Sequence, residues 1–395
     1  MICPVCNSFK MEALVNLGNQ PLANKYPKKS DFKDEFFAQM TIYWCSKCLF
    51  SHLPCSAPRE KFFTDYYYLS SVNKELVDHF NNLAHSISKY KPSFVLDVGS
   101  NDGVLLRPLK ELGIKCLGVD PSKNVGAIAN KNGLNTEIGF FDYPMAKTIK
   151  KKYGFFDFIV ASSVFTHLES PREFMRACDE ILTKDGKILI EVEYPISIFE
   201  SFGFERFYFD RPSYYSLHSF QTLALEFNFA VADAAKIAPH GGSIQIVLQR
   251  AESKENQATE AVKSILNEEI SSLSNQIIID SFDSFNSEIC KLKEGINTFK
   301  NDAKKIIAYG CPARFSTITN YGGIDSSYLN FVIDDSPLKQ DSFSPGQHIP
   351  IKSADYDEED TDIYIVFAYE YIDSIKKKVK GKNARFFRPV PFVEI

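Results

Sequence analysis

Residues 94–103 read FVLDVGSNDG, an apolar run that ends in a turn between Gly99 and Gly103. A short apolar run of this kind predicts a buried strand, and we expect a helix over residues 104–112 to follow it. Glycine has no Cβ, so Gly99 allows the backbone to approach a bound ligand closely. The stretch therefore predicts the first strand, turn and helix of a parallel α/β sheet that binds a ligand.

The alternation of strands and helices continues on both sides of this stretch. We expect a helix at 76–91 and strands at 116–119, 156–161, 187–191 and 241–249, and a second block of strands at 305–309, 329–333, 362–368 and 386–390. The polar residues 251–302 carry Ile and Leu at helical intervals and predict a connecting helix pair. Residues 196–219 are rich in Phe and Tyr without periodicity, which predicts a loop or lid over a pocket.

These patterns divide the chain into four segments. They are a cysteine-rich domain at 1–75, a central α/β domain at 76–250, a helical connector at 251–302 and a C-terminal α/β domain at 303–395. A length of 395 residues fits two or three domains at ~150 residues each. The predicted fold class is therefore α/β, with a small metal-binding domain in front.

Charge and hydropathy exclude several classes of partner. The chain has 45 Lys and Arg against 50 Asp and Glu, and no block of like charge. A zinc-ribbon nucleic-acid binder and an anionic-membrane binder are disfavoured, because no basic stripe surrounds the cysteines. No apolar run reaches the ~18 residues of a membrane span, and no signal-peptide pattern opens the sequence. We expect a cytoplasmic protein; nothing in the sequence indicates its oligomeric state.

Two C-x2-C pairs point to a metal site. Cys3 and Cys6 form the first pair, and Cys45 and Cys48 form the second. Four thiolates close a tetrahedral zinc shell and leave no position for a substrate, so we expect a structural zinc. Four buried or redox-active thiols are the alternative. Cys55 lies outside the pairing and is not expected to be a ligand.

The turn after the first strand has the chemistry of a cofactor site. Asp97, Asn101 and Asp102 would repel a pyrophosphate and suit a cationic amino acid or a sulfonium, which favours S-adenosylmethionine (SAM) over NAD. Asp120, after the second strand, is placed to bind both hydroxyls of a ribose. Strand-to-glycine turns also occur in α/β proteins that lack this cofactor. The complete set of expected cofactor contacts is Asp97, Gly99, Asn101, Asp102, Gly103, Asp120, Asp142 (near the adenine) and Ser162.

Further motifs carry a resemblance to a known family along nearly the whole chain. Besides the cysteine pairs and the turn at 97–103, they are LGNQPLAN at 17–24, DYYYLSS at 65–71, PHGGS at 239–243, YGCPAR at 309–314 and PGQHIPI at 345–351. In this order they resemble the zinc-containing, SAM-dependent C-methyltransferases of nucleotide-linked 4-keto-deoxysugars.

The resemblance implies an architecture and a reaction. The architecture is an N-terminal zinc-binding domain, a central class I SAM-dependent methyltransferase domain with a Rossmann-like sheet, and a C-terminal Rossmann-like domain that helps to hold the nucleotide-sugar. The implied reaction is methylation of C3 of a nucleotide-linked 4-keto-6-deoxysugar, in deoxysugar or surface-polysaccharide biosynthesis.

The catalytic loop departs from the family pattern. Relatives carry Tyr-His-Glu-His, whereas this chain has Tyr208, Phe209, Asp210 and Arg211. The last His of the motif is the usual candidate base, and a guanidinium cannot replace it at pH 7. Asp210 can stand for the Glu, and Arg211 can hold an oxyanion, a carboxylate or a phosphate. The remaining base candidates are His167, His240 and Tyr68, with Tyr208 behind them.

Each catalytic candidate also has a purely structural interpretation. His167 can cap the helix that begins near residue 170, and His240 can shape a turn before two glycines. Asp210 and Arg211 can pair with each other on an exposed loop. Tyr68 can belong to an aromatic packing surface.

The C-terminal domain offers a binding interpretation and a structural one. Gly310 and Arg314 can cradle a phosphate, and Asp334 and Asp335 stand where a nucleotide-binding fold contacts a ribose. A purely structural Rossmann-like domain is nearly as well supported.

The leading hypothesis is a SAM-dependent methyltransferase that acts on carbon of a nucleotide-activated sugar. The replaced histidines make O- or N-methylation of a related sugar the first alternative. The second is a catalytically silent SAM-binding homologue, against which the intact Asp97, Gly99, Asp102 and Asp120 argue.

Overall fold

The computed structural model describes the whole chain except residues 56, 58–61, 63–68, 73 and 253–257. The strands in this part of the chain form three sheets, of four, seven and six strands. None of its helices combines the length and the apolar character that crossing a membrane requires.

The N-terminal region contains three antiparallel strands. They are β1 (Met11–Pro21), β2 (Phe37–Cys45) and β3 (Phe50–His52). The sequence analysis found no regular pattern in this region, because β-bulges interrupt the pairing of β1 with β2 and break the alternation of buried side chains.

The central domain is a mostly parallel sheet with intervening helices. Its strands are β4 (Phe94–Val98), β5 (Lys115–Asp120), β6 (Thr136–Ile138), β7 (Phe156–Ser162), β8 (Leu182–Glu193), β10 (Phe229–Ile237) and β11 (Ser243–Arg250). The short strand β9 (Ser213–Tyr215) lies between β8 and β10 in the chain but belongs to the four-stranded sheet. Its helices are α1 (Lys74–Ser88), α2 (Leu106–Glu111), α3 (Lys123–Lys131), α4 (Tyr143–Tyr153), α5 (Pro171–Ile181), α6 (Pro195–Glu200) and α7 (Leu217–Glu226).

The order of the large sheet is β10-β11-β8-β7-β4-β5-β6, with β11 antiparallel to both neighbours. The chain winds outward from β4 in both directions, so the topological switch point lies between β4 and β7. Ligands of open α/β sheets bind at the carboxyl ends of the strands at such a point. The quoted stretch 94–103 ends there.

A helical connector leads to the C-terminal domain, as the sequence predicts. The connector helices are α8 (Glu260–Ser272) and α9 (Asn275–Asn301). The third sheet has the order β14-β13-β12-β15-β16-β17, and β17 alone is antiparallel to its neighbour. The elements are β12 (Ile306–Tyr309), α10 (Ala313–Gly322), β13 (Val332–Ile333), β14 (Ile351–Lys352), β15 (Ile363–Val366), α11 (Ile372–Lys378), β16 (Arg385–Arg388) and β17 (Val393–Glu394).

The aromatic segment 196–219 is part of the core, so its interpretation as a lid is wrong. Phe204 and Phe207 are fully buried. The ring of Phe204 lies 5.1 Å from Phe282 of the connector helix α9, and Phe207 lies 4.3 Å from Tyr214. The aromatic residues show no periodicity because they are packed on several sides rather than along one face.

The strand β9 leaves the central domain and completes the N-terminal sheet. It pairs antiparallel with β3, with Tyr215 opposite Phe50 and Tyr214 opposite Ser51. The Leu53 amide donates to the carbonyl of Pro212 at 2.8 Å, which extends the pairing. Both tyrosines are fully buried, and burial of a side chain of this size contributes about 1.5–3 kcal/mol. The loop at 208–212 is thereby fixed to the N-terminal domain.

Residues 22–36, which we call the strap, connect β1 and β2 across the C-terminal domain. The Tyr26 hydroxyl donates to the Cys311 carbonyl at 2.9 Å. Glu35 accepts hydrogen bonds from the Gly346 amide at 2.9 Å and from His348 Nε2 at 2.7 Å. The strap and β9 together join the three regions, and one hydrophobic cluster contains residues of all three.

Candidate active site

The four cysteines predicted as ligands lie together in the N-terminal domain. Their Sγ atoms all fall within 4.8 Å of one another, with Cys3 to Cys48 and Cys6 to Cys45 both at 3.6 Å. A tetrahedral zinc with Zn–S bonds of ~2.3 Å places its sulfurs about 3.8 Å apart, so the cluster fits zinc. Four thiolates fill its shell, and the zinc is therefore structural. Cys55 is not part of the cluster.

The turn after β4 has the geometry of a ligand cradle. Gly99 has φ +75°, and a Cβ there would lie 2.0 Å from the Val164 side chain. The Asn101 amide donates to Asp120 Oδ2 at 2.9 Å, and the Ser122 amide donates to Asp120 Oδ1 at 2.8 Å. Asp120 therefore ties the turn to the end of β5, where the sequence places the ribose acid.

The same turn leaves polar atoms without protein partners. Asp102 Oδ1 and Ser100 Oγ are buried, and neither atom has a hydrogen-bond partner among the described residues. The other oxygen of Asp102 binds Ser71, and Asn101 Oδ1 accepts from the Ser70 amide at 3.1 Å. Unpaired buried polar atoms are costly, and the polar groups of SAM would satisfy them. The residues therefore fit the cofactor.

Asp97 is the second-last residue of β4, two positions before Gly99, and it is almost completely buried. Burial raises the pKa of its carboxyl to about 8, and the negative charges of Asp120 and Glu191 add to the effect. At neutral pH this carboxyl is largely protonated while no cation is near it. A cationic ligand beside it would favour the ionised form.

Two further predicted cofactor residues have protein partners. Ser162, at the end of β7, donates to Glu191 Oε2 at 2.6 Å, and His79 Nε2 lies 2.9 Å from the same oxygen. Asp142 accepts from the Met145 amide at 2.9 Å and so caps the N-terminus of α4. Its contact with the adenine stays a prediction.

The catalytic loop is buried, and the interpretation of Asp210 and Arg211 as an exposed pair is wrong. The Asp210 carboxylate accepts from Asn24 Nδ2 of the strap at 3.0 Å. Arg211 forms an ion pair with Glu193 at the end of β8 instead. The two side chains have separate partners because the β9 pairing turns this loop inward.

Two of the four predicted base candidates lie next to Arg211. His167 Nδ1 donates to the Asp210 carbonyl, and His240 Nε2 lies 3.0 Å from Ser163 Oγ. Ser170 caps α5, so His167 is not the helix cap. Burial, and then the charge of Arg211, lower the pKa of His167 to about 3 and of His240 to about 4. Both imidazoles are neutral at pH 7.

Of the other two base candidates, the structure describes Tyr208 but not Tyr68. Tyr208 is nearly buried, with its ring centroid 5.0 Å from the Arg211 guanidinium carbon. It also packs against Ala23 of the strap and Ala313 of α10, so the three domains meet at this ring. Tyr68 lies outside the described residues.

A cavity of about 70 Å³ lies at this junction. Its lining is Glu193, Arg206, Tyr208, Pro312, Ala313 and Arg314. Arg206 donates to the Gly241 carbonyl at 3.2 Å, while its Nε is buried without a partner among the described residues. Arg314 pairs with Glu370 at 2.6 Å. The cavity therefore combines one carboxylate with two guanidinium groups.

The sequence analysis did not find Glu193 or Arg206. A usable signal existed in the run Glu191-Val192-Glu193, since alternate residues of a strand point to the same side. Arg206 lies within the aromatic segment 196–219. A charged residue among side chains that are buried in the core indicates a buried polar site.

The corresponding turn of the C-terminal domain is occupied by the chain itself. The Cys311 amide donates to Asp334 Oδ2 at 2.8 Å, and Lys339 Nζ lies 3.1 Å from the same oxygen. Tyr26 of the strap binds the Cys311 carbonyl, at the place where a nucleotide-binding fold holds phosphate. Asp335 pairs with Lys378. These contacts favour the structural interpretation of this turn.

Comparison with known proteins gives matches along nearly the whole chain. Family models match as a zinc binding domain at residues 3–63, a methyltransferase domain at 68–234 and a C-methyltransferase C-terminal domain at 238–391. The C-methyltransferase NovU of Streptomyces niveus is 26% identical over 98% of this chain and 95% of its own. An uncharacterized methyltransferase of Staphylococcus carnosus is 32% identical over 39% of this chain and 72% of its own.

Among solved structures, the magnesium protoporphyrin IX methyltransferase of Synechocystis, with bound S-adenosylhomocysteine (SAH), aligns with 47% of this chain and 90% of its own. The sequence identity is 14% and the TM-score is 0.37.

Zinc removal is expected to release the catalytic loop. Cys45 and Cys48 lie at the two ends of the turn that leads into β3, so loss of the metal should weaken the β3–β9 pairing before the central sheet opens. Hydrogen exchange after chelation should show earlier exchange of the Tyr214 and Tyr215 amides than of the amides of β4. Metal analysis of the untreated protein should give one zinc per chain. Unchanged exchange at β9 in zinc-free protein would contradict this dependence.

SAM binding is expected to be coupled to ionisation of Asp97. The cofactor's positive charges favour the carboxylate, and the pKa of Asp97 without them is about 8. Affinity should therefore rise with pH, by up to about tenfold per unit between pH 5 and 7. Calorimetric titration measures this, and Asp97→Asn should remove the dependence. A wild-type affinity that is constant over this range would show that Asp97 is already ionised.

Proposed function

Because the chain belongs to the zinc-containing, SAM-dependent C-methyltransferase family, we propose that it methylates a carbon beside the ketone of a nucleotide-linked 4-keto-deoxysugar. Methyl transfer from SAM follows from the family. The sugar, its nucleotide and a role in deoxysugar or surface-polysaccharide biosynthesis are the parts that we propose.

Methylation beside a ketone makes three demands on the protein. A base must remove the proton, a positive group must hold the oxyanion that develops, and the methyl group must lie in line with the carbon. The cavity at the domain junction is lined by Glu193, the last residue of β8, which pairs with β7. This arrangement supports a substrate held between that cavity and the cofactor turn.

The largely buried side chain of Arg211, which is 13% exposed, is the observation that carries the proposal. Its Nε is buried and has no hydrogen-bond partner among the described residues, and its one ion-pair partner is Glu193. A guanidinium in a water-poor site stabilises a negative oxygen far more than it would in water. Arg211 therefore suits the enolate oxygen of a ketone, and it replaces a residue that relatives use as the base.

Arg206 and Arg314 support the nucleotide part of the proposal. Guanidinium groups bind phosphate oxygens bidentately, and two of them line the same cavity. The cavity is well below the ~300–1,000 Å³ of a full ligand pocket. It would hold only part of the substrate, between Glu193 and the two guanidinium groups, and the rest would extend beyond it along the junction of the two domains.

The test is the fate of a labelled methyl group. The zinc-loaded protein is incubated with ¹³C-methyl SAM and with dTDP-, CDP- and GDP-linked 4-keto-6-deoxyhexoses, and the products are analysed by carbon–proton correlation NMR. We expect the labelled methyl to couple to a ring carbon beside the ketone. A methyl on oxygen or nitrogen would establish the alternative chemistry. No product with any sugar, while SAH binds, would support the catalytically silent homologue.

Arg211→Gln is expected to lower kcat by about 10²–10³, the usual effect of losing one oxyanion donor. The affinity for SAH should not change, since Arg211 does not contact the cofactor turn. Arg250→Gln is a matched control, because Arg250 pairs with Asp179 on the far side of the central sheet. A kcat of the Arg211 variant equal to that of the control would remove Arg211 from the mechanism.

A further inference from the structure

Glu193 is a buried carboxylate that no sequence motif singles out. It is the last residue of β8, two positions beyond Glu191, whose carboxylate binds Ser162 at the end of the neighbouring strand. Alternate residues of a strand point to the same side. Glu193 therefore points to the same face of the sheet as Glu191. As the last residue of β8 it lies at the carboxyl edge, with a side chain that is 7% exposed and lines the cavity beside Tyr208.

The two oxygens of this carboxylate have different surroundings. Oε1 is paired with Arg211, whereas Oε2 is buried and has no hydrogen-bond partner among the described residues. Buried carboxylate oxygens are normally paired, because desolvation without a partner is costly. An unpaired oxygen beside a cavity therefore indicates a group that meets its partner on the substrate.

We propose that Glu193 is the base that removes the proton from the carbon beside the substrate ketone, in place of the histidine that relatives carry where this chain has Arg211. This inference rests on the proposed function. In this step Glu193 would accept the proton, while Arg211 would bind the oxygen of the enolate.

The step balances in atoms and charge. The C–H bond breaks, and its proton forms an O–H bond with Oε2 of Glu193. The electron pair of that bond forms a carbon–carbon double bond, and the carbonyl pair moves to oxygen. Arg211 thereby loses one anionic partner and gains another, the enolate oxygen. Bound SAM would supply the methyl group to the enolate carbon, with the electron pair of the broken S–C bond left on sulfur, and Glu193 would return its proton to water.

The histidines are poorer candidates for this task. Protonation of His167 or His240 would create a second buried cation close to Arg211, and the pKa values of both are lowered accordingly. His167 also uses Nδ1 to bind the Asp210 carbonyl. For Glu193, burial works against ionisation, but the charge of Arg211 and the other basic groups nearby together outweigh it, and the pKa lies below its usual value. The carboxylate is therefore ionised at pH 7, and transfer of a proton to Oε2 would create no second cation beside Arg211.

The test is exchange of the proton beside the ketone for deuterium. The zinc-loaded protein with SAH is incubated in D2O with the three nucleotide-linked 4-keto-6-deoxyhexoses, and the loss of the proton signal is followed by NMR. Wild-type protein should exchange it, and Glu193→Gln should exchange it about 10²–10⁴-fold more slowly. Glu288→Gln is the matched control, since Glu288 is a buried carboxylate on the remote helix α9.

A second variant tests whether Glu193 acts as the base or only positions Arg211. In Glu193→Ala, added acetate should restore exchange faster than fluoroacetate, because the two ions are similar in size and acetate is the stronger base. A purely positioning role would give equal rescue by both. Binding of SAH checks that each variant is folded, and Glu193→Asp, which keeps the charge but withdraws the carboxylate, replaces the Gln variant if that one does not bind.

The outcomes test the role of Glu193 and the proposed C-methylation separately. Exchange by wild type and by Glu193→Gln at equal rates, or rescue that does not depend on basicity, would overturn the role of Glu193 and leave C-methylation intact. Absence of exchange by SAH-bound wild type with all three sugars would overturn C-methylation, and the role of Glu193 with it.

Discussion

The pairing of β3 with β9 is the constraint on which the active site depends. Because Cys45 and Cys48 bind zinc at the two ends of the turn that leads into β3, the metal fixes the strand to which the catalytic loop is attached. The loop then returns across the domain junction, where Arg211 pairs with Glu193. In the mechanism that we propose, the zinc supports the candidate active site through the β3–β9 pairing and not by contact with the substrate.

Burial of an ion pair carries a desolvation cost that can exceed the attraction between its two charges. Here Glu193 and Arg211 neutralise each other while each keeps one buried polar atom without a partner among the described residues. In the reaction that we propose, Glu193 would supply the base and Arg211 the positive charge for the ketone oxygen. A carboxylate and a guanidinium would then do the work of the histidine that relatives carry, and the total charge at the junction would stay the same during proton transfer.

Much of this architecture could be predicted from local sequence. The strand–glycine–helix pattern at 94–103, Asp120 after the second strand and the paired cysteines depend on neighbours in the chain, and the structure places them as expected. The course of 196–219 could not be predicted, because its aromatic residues are buried by partners that are distant in sequence. Phe282 lies 78 positions after Phe204, and Phe50 of β3 lies 165 positions before Tyr215. The same holds for Glu193, whose significance depends on Arg211 reaching it across the fold.

The most direct test of the account is a crystal structure of the zinc-loaded protein with SAH and dTDP-4-keto-6-deoxyglucose. The account predicts the ketone oxygen at hydrogen-bond distance from Arg211, the neighbouring carbon between Glu193 Oε2 and the SAH sulfur, and the diphosphate near Arg206 and Arg314. A sugar that presents a hydroxyl or an amine to the sulfur, with its ketone away from Arg211, would contradict it.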